Sequence, residues 1–155
     1  MSLTHATFVI TRDYKAAPAR VFAAWAKADQ KRAWFACHGD WISYEYTLDF
    51  RVGGKEINRT GPAGGDVHAY DATYLDIVPN ERLVLAYAMR VGERLLSLSL
   101  ETVEFADHAG GTRLTFTEQG AFLEGGGDIA EREEGTRIGL DAFGAWLDST
   151  AADAA

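Results

Sequence analysis

The sequence predicts an α+β domain: an antiparallel sheet of about seven strands crossed by one long C-terminal helix, with two short helices after the first strand. Three observations carry that prediction. From Trp41 onward, apolar and polar residues alternate with period two, placing Tyr44, Tyr46, Leu48, Phe50 and Val52 on one face and Glu45, Thr47, Asp49 and Arg51 on the other. Turn signals then recur at short intervals, at Gly53-Gly54, Gly61 to Gly65, Pro79-Asn80, Gly92-Glu93 and Gly110-Gly111. These connections suit a meandering antiparallel sheet, because parallel strands need crossovers of a dozen residues or more. Finally, Gly139, Leu140, Phe143, Trp146 and Leu147 form a single apolar stripe at helical spacing.

The elements follow in order. Residues 6 to 14 are rich in β-branched and aromatic types and read as a first strand. Pro18 suits the first turn of a helix over roughly 18 to 27, with Val21, Phe22 and Trp25 on one side. Asp29 is the expected cap of a second short helix ending near Phe35. The strand from Trp41 turns at Gly53-Gly54, whose expected positive φ values make a tight hairpin, and Lys55 to Thr60 returns beside it. Further strands are expected over about 67 to 78, 82 to 91, 94 to 105 and 112 to 119. The long helix covers about 130 to 149. Its Gly135, Gly139 and Gly144 each cost about 1 kcal/mol of helix propensity, which suggests close approach to another backbone. The tail from Thr150 is expected to fray.

With 155 residues, 47% of them hydrophobic and 12% aromatic, the chain is expected to form one domain over 1–155 with its core at about 6–149. Fifteen Lys and Arg against 23 Asp and Glu give a net charge of -8, which disfavours nucleic acid and anionic membranes as partners. No apolar run approaches the roughly 20 residues of a membrane span, so no membrane insertion is expected. The lone Cys37 cannot form an internal disulfide and no signal segment opens the chain, so the expected location is cytoplasmic.

Four motifs resemble those of a known family: Ala17-Pro-Ala-Arg-Val-Phe22-Ala-Ala-Trp25, Asp49-Phe-Arg51-Val-Gly53-Gly54, Tyr74-Leu-Asp-Ile77-Val-Pro79-Asn-Glu-Arg82-Leu and Gly111-Thr112-Arg-Leu-Thr115. Together with the element order, they resemble the START-like (SRPBCC) superfamily of polyketide cyclases, Bet v allergens and lipid-transfer domains. The match is to its branch of homologues of the activator of heat-shock-protein-90 ATPase. The resemblance spans roughly residues 6 to 149 and implies the helix-grip (START/Bet v-like) fold, a curved sheet wrapped around the long helix. Between sheet and helix such folds enclose a mostly apolar cavity. The motifs are structural and name no reaction, so function rests on the site.

Within that frame Glu118 is the leading pocket residue, because it shares a strand face with Leu114 and Phe116 and a buried carboxyl needs partners. The alternative is a strand-end Glu118 paired with an arginine such as Arg59. Tyr44, Tyr46, Tyr74 and Tyr87 are expected to present hydroxyls inward, or else to satisfy them within the core. Trp34, Phe35 and Trp41 fall where the family has its cavity mouth. Phe116 and Phe143 contribute apolar wall, and Phe122 with Leu123 the contacts of a loop, Glu124 to Asp128, that could close over it. The acids in Glu131-Arg132-Glu133-Glu134 read as helix-dipole residues.

Catalytic and metal signatures are sparse. The histidines His5, His38, His68 and His108 lack metal-ligand spacing, and Cys37-His38 are adjacent residues unsuited to holding one ion, so no metal and no cofactor are expected. His68 and Asp71 point to opposite strand faces, and His68 and Asp76 lie about 26 Å apart. No nucleophile elbow, phosphate loop or dinucleotide fingerprint is present. The leading reading is therefore binding of a small hydrophobic or amphipathic molecule without catalysis. Two alternatives stand beside it: a cyclase- or hydrolase-like enzyme working through a cavity carboxylate, and a chaperone-ATPase activator or other protein-partner module. A homodimer is compatible with the sequence.

Overall fold

The structure, a computed structural model, describes residues 2–36 and 39–151. Cys37 and His38, and the last four residues of the tail, lie outside the described residues.

The chain runs β1 (Leu3–Tyr14), α1 (Pro18–Ala26), α2 (Ala28–Phe35), β2 (Ile42–Leu48), β3 (Lys55–Gly61), β4 (His68–Val78), β5 (Arg82–Val91), β6 (Arg94–His108), β7 (Gly111–Leu123) and α3 (Ile129–Ser149). The seven strands form one curved antiparallel sheet in the order β1-β7-β6-β5-β4-β3-β2. Every neighbour in the sheet is a hairpin partner except β1, which pairs with β7 from Leu3↔Leu123 to Tyr14↔Thr112. The expected architecture, including two short helices after the first strand, is the observed one.

Pro18 opens α1 at its first turn, and the Ala17 cap makes no side-chain bond. Val21, Phe22, Ala24 and Trp25 turn inward from α1, and Trp34 from α2. The two tryptophan rings meet Phe143 of α3: Trp34 and Phe143 lie 4.4 Å apart between centroids, Trp25 and Phe143 5.9 Å, and Trp25 and Trp34 4.8 Å. This aromatic cluster joins three helices into the layer that faces the sheet. Each aromatic side chain buries roughly 150–250 Å², so the cluster is a large share of the core's driving force.

Four local expectations are corrected. The cap of α2 is Lys27 with no side-chain bond, and Asp29 sits in the first turn. The β2–β3 connection is the six-residue loop 49–54, in which only Gly53 takes a positive φ, of 84°. Gly54 is required for another reason: a Cβ there would overlap the Asp49 carbonyl oxygen. The loop is fixed to β4 by bonds from the Gly53 amide to the Tyr74 carbonyl and back from the Tyr74 amide to Gly54. Thr150 is also held, accepting from Arg20 at 2.7 Å and donating to the Trp146 carbonyl.

The long helix is capped where the glycine-rich loop ends, since the Asp128 carboxylate accepts from the Glu131 amide at 2.8 Å. No helix among the described residues is long and apolar enough to cross a membrane.

Candidate functional site

Across the sheet from α3 lies a cavity of about 380 Å³. The curvature of the sheet and the bareness of one helix face make the space. Gly135, Thr136 and Gly139 line it from α3, and a Cβ built on either glycine meets nothing within 4 Å. The expectation that these glycines allow backbone contact is therefore corrected for Gly135 and Gly139: they leave volume unfilled. Gly144 does make a close approach, to the Tyr14 ring.

Two buried ion pairs brace the interior. Lys31 of α2 and Glu56 of β3 pair at 2.9 Å, both with fully buried side chains. The Glu56 carboxylate also accepts from the hydroxyls of Tyr46 at 2.7 Å and Tyr74 at 2.8 Å. The Lys31 ammonium sits over the rings of Phe35, at 4.4 Å, and Trp25, at 5.0 Å. These contacts with π-electron density offset part of the cation's desolvation.

The second pair is Glu118 with Arg132, at 3.0 Å. Glu118 also accepts from Tyr87, at 2.8 Å, and Ser99, at 2.9 Å, while Arg132 reaches the Ser97 hydroxyl and stacks over Phe122. Burial pushes the Tyr70, Tyr74 and Tyr87 hydroxyls up, with nearby carboxylates adding to the effect, so these phenols stay neutral, and Tyr74 and Tyr87 donate to Glu56 and Glu118.

Between the two pairs stands Glu101 of β6, 6% exposed, with no hydrogen bond or ion pair among the described residues. Burial pushes its carboxyl up to about 8 against the opposing pull of Lys31, and the negative charges of Glu118 and Glu56 push the same way. Three more polar atoms, Trp25 Nε1, Asn58 Oδ1 and Tyr70 Oη, are buried without a partner among the described residues, and all three residues line the same cavity.

A stability signature follows from Glu101. Its folded-state pKa lies above the unfolded value, so between about 4.5 and about 8 the folded chain holds a proton that the unfolded chain has released. Its contribution to stability is then present at low pH and falls as pH rises through that window, by at most ~1.4 kcal/mol per pH unit. Thermal melts of the wild type and Glu101→Gln are expected to diverge with rising pH, the variant gaining relative to wild type and the gap levelling above pH 8.

The sequence-predicted residues divide accordingly. Glu118, Trp34, Tyr87 and Phe116 line the cavity, as do Phe35 and Trp41. Tyr46 and Tyr74 point inward, but their hydroxyls are spent on Glu56 behind the cavity wall. Phe122 backs the Arg132 guanidinium, and Phe143 is fully buried under the tryptophans, neither reaching the cavity. Tyr44 is corrected outright: it is 51% exposed, because a register shift between Ser43 and Glu45 breaks the alternation that would have turned it inward. Arg59 pairs with Asp71 at 2.7 Å, so the arginine that meets Glu118 is Arg132 instead.

Sequence reasoning missed Glu101, Asn58 and Arg132. Arg132 was hidden in a run of acids, although a lone cation in that run, one turn into the helix, was a usable signal. Glu101 and Asn58 carried a signal as well, since each sits at an inward position by period two: Glu101 between Ser99 and Val103, and Asn58 between Glu56 and Thr60. Among the described residues no group of three His, Cys, Asp or Glu is placed to hold a metal ion.

A sheet gripping one long helix, with a lined cavity between them, defines the helix-grip class of α+β proteins. Within it the chain belongs to the family of the Activator of Hsp90 ATPase homolog 1-like proteins, which residues 15–150 match. Solved structures agree. A protein from Rhizobium leguminosarum is 51% identical with a TM-score of 0.91, over 96% of this chain and 97% of that one. A second, from Rhizobium loti, is 45% identical with a TM-score of 0.86, over 94% and 99%. An AHSA1-like protein from Aeromonas hydrophila, 22% identical over 94% of each chain, shares the fold with a TM-score of 0.73. No curated protein matches the sequence.

Proposed function

We propose that the protein binds a small amphipathic molecule in the cavity between sheet and α3. One observation carries this reading: the Glu101 carboxyl, Asn58 Oδ1, Tyr70 Oη and Trp25 Nε1 all belong to the wall of one mostly apolar cavity, and none has a hydrogen-bond partner among the described residues. A buried polar atom left unpaired costs about 1–3 kcal/mol, so three such atoms beside an unpaired carboxyl around one space are an arrangement that a ligand's polar atoms would offset. At about 380 Å³ the cavity suits a ligand of one or two rings or a short chain.

Native mass spectrometry of the protein purified from cells, followed by a thermal-shift screen of lipids, aromatic polyketides, flavonoids and amines, tests the reading. A ligand at ~100 times its Kd is expected to add about 2.7 kcal/mol and raise Tm visibly. A clean apo mass with no shift from any class would move the function to the protein's outer surface and a protein partner.

A second reading, an acid–base enzyme, draws on the same Glu101. A carboxyl near 8 holds its proton at neutral pH and can deliver it to a bound substrate. Glu118, tied to Arg132, Tyr87 and Ser99, is less free to do so than sequence reasoning expected.

A further inference from the structure

In and behind the cavity wall, carboxyls outnumber cations. Glu56, Glu101 and Glu118 supply three carboxyls, while Lys31 and Arg132 supply two cations, each already paired to one of the acids. Glu101 is the acid left over. It stands directly opposite Glu118 in the β6–β7 register, with Leu85 opposite it on β5, and like charges facing each other across strands repel. Two further unpartnered atoms of the wall, Asn58 Oδ1 and Tyr70 Oη, can each accept from a donor.

Aromatic side chains, Trp25, Trp34, Phe35, Tyr70 and Phe116 among them, line much of the space, and the face of such a ring attracts a cation. The Lys31 ammonium over Phe35 and Trp25 is a working example of a cation held by these same rings.

We propose that the cavity takes an organic amine: a primary or secondary ammonium on an apolar or aromatic frame, its nitrogen donating to the Glu101 carboxylate. This rests on the cavity being a ligand site. It brings the inventory to three anions and three cations. An acidic ligand would instead add a further anion, and a neutral one would leave Glu101 protonated and gain no ion pair.

The groups around Glu101 define how binding responds to pH. They are Lys31 from α2, Glu56 from β3, Tyr70 and Tyr74 from β4, Tyr87 from β5, Glu118 from β7 and Arg132 from α3, with His68 also in the wall. The ammonium pairs with ionised Glu101, which in the free protein is protonated below about pH 8. Each bound amine therefore displaces one proton, and affinity rises with pH up to that point, by at most tenfold per pH unit.

Calorimetric titration of the purified chain with 2-phenylethylamine, 2-phenylethanol and phenylacetate, from about pH 6 to about pH 8, where an alkylamine stays charged, tests this. The amine is expected to bind at least about tenfold tighter than the alcohol at the upper pH and to release protons, with the alcohol's affinity flat. In Glu101→Gln the amine is expected to lose both its preference and its pH dependence, while retained 2-phenylethanol binding shows the cavity intact. If the alcohol or the acid binds the wild type as well as the amine, the amine assignment is overturned and the cavity reading stands. Binding of none of the three also overturns it, and the broader screen then decides the cavity reading separately.

Discussion

Replacing Lys31 with methionine is expected to lower folding stability by about 3–5 kcal/mol, among the largest effects of any single substitution in this chain. Methionine reproduces the length and much of the volume of the stem, so packing against Trp25, Trp34 and Phe35 changes little. What changes is Glu56. Its side chain is fully buried, and the Tyr46 and Tyr74 hydroxyls still donate to it, but its counter-charge is gone. For a domain of this size 1 kcal/mol moves Tm by roughly 2–4 °C, so a fall of roughly 6–20 °C is expected in thermal melts. The double variant Lys31→Met with Glu56→Gln is expected to recover most of the loss, because the cost lies in the orphaned charge and not in the missing contact. A drop below about 1 kcal/mol for Lys31→Met would mean that water reaches this pair.

The second large effect concerns the helix face. Gly139→Phe is expected to fill the cavity and weaken ligand binding at least tenfold, with the protein still folded. Gly139→Ala is expected to stabilise the protein by up to about 1 kcal/mol through helix propensity and to leave binding nearly intact. The pair separates volume from propensity, since neither added Cβ meets an atom within 4 Å. Ligand-induced shifts in Tm for the two variants check it. Equal binding in both would place the ligand elsewhere, whereas loss in both would point to distortion of α3.

The fold was legible because its signals are local. Turn glycines and period-two runs mark strands, and the Leu140, Phe143 and Leu147 stripe marks the buried side of α3. Errors arose where a single backbone event shifts a pattern: the bulge between Ser43 and Glu45 turned Tyr44 outward while Tyr46 stayed in. The site was harder to read for a different reason. Glu118 was found from its own strand, but its partner Arg132 comes from α3, and the unpaired state of Glu101 depends on what every other element fails to offer it. Such a negative fact belongs to the assembled tertiary structure. The bare glycines illustrate the same limit: a missing side chain in a helix reads as close packing or as empty space, and only the position of the sheet decides between them.

The pairing of β1 with β7 has a consequence for how the chain is made. Tyr14 meets Thr112 and Leu3 meets Leu123, so the first strand has no partner until about 100 further residues have been added. At ~5–20 residues per second on the ribosome that is a wait of roughly 5–20 s, during which Phe8, Val9 and Ile10 are exposed as an unpaired edge. The five hairpins from β2 to β7 can close as each is synthesised, so the sheet grows one strand at a time and β1 joins near the end. Nascent chains halted before Gly111 would then be the species that chaperones must hold, and protease protection of β1 should arise only after β7 has emerged.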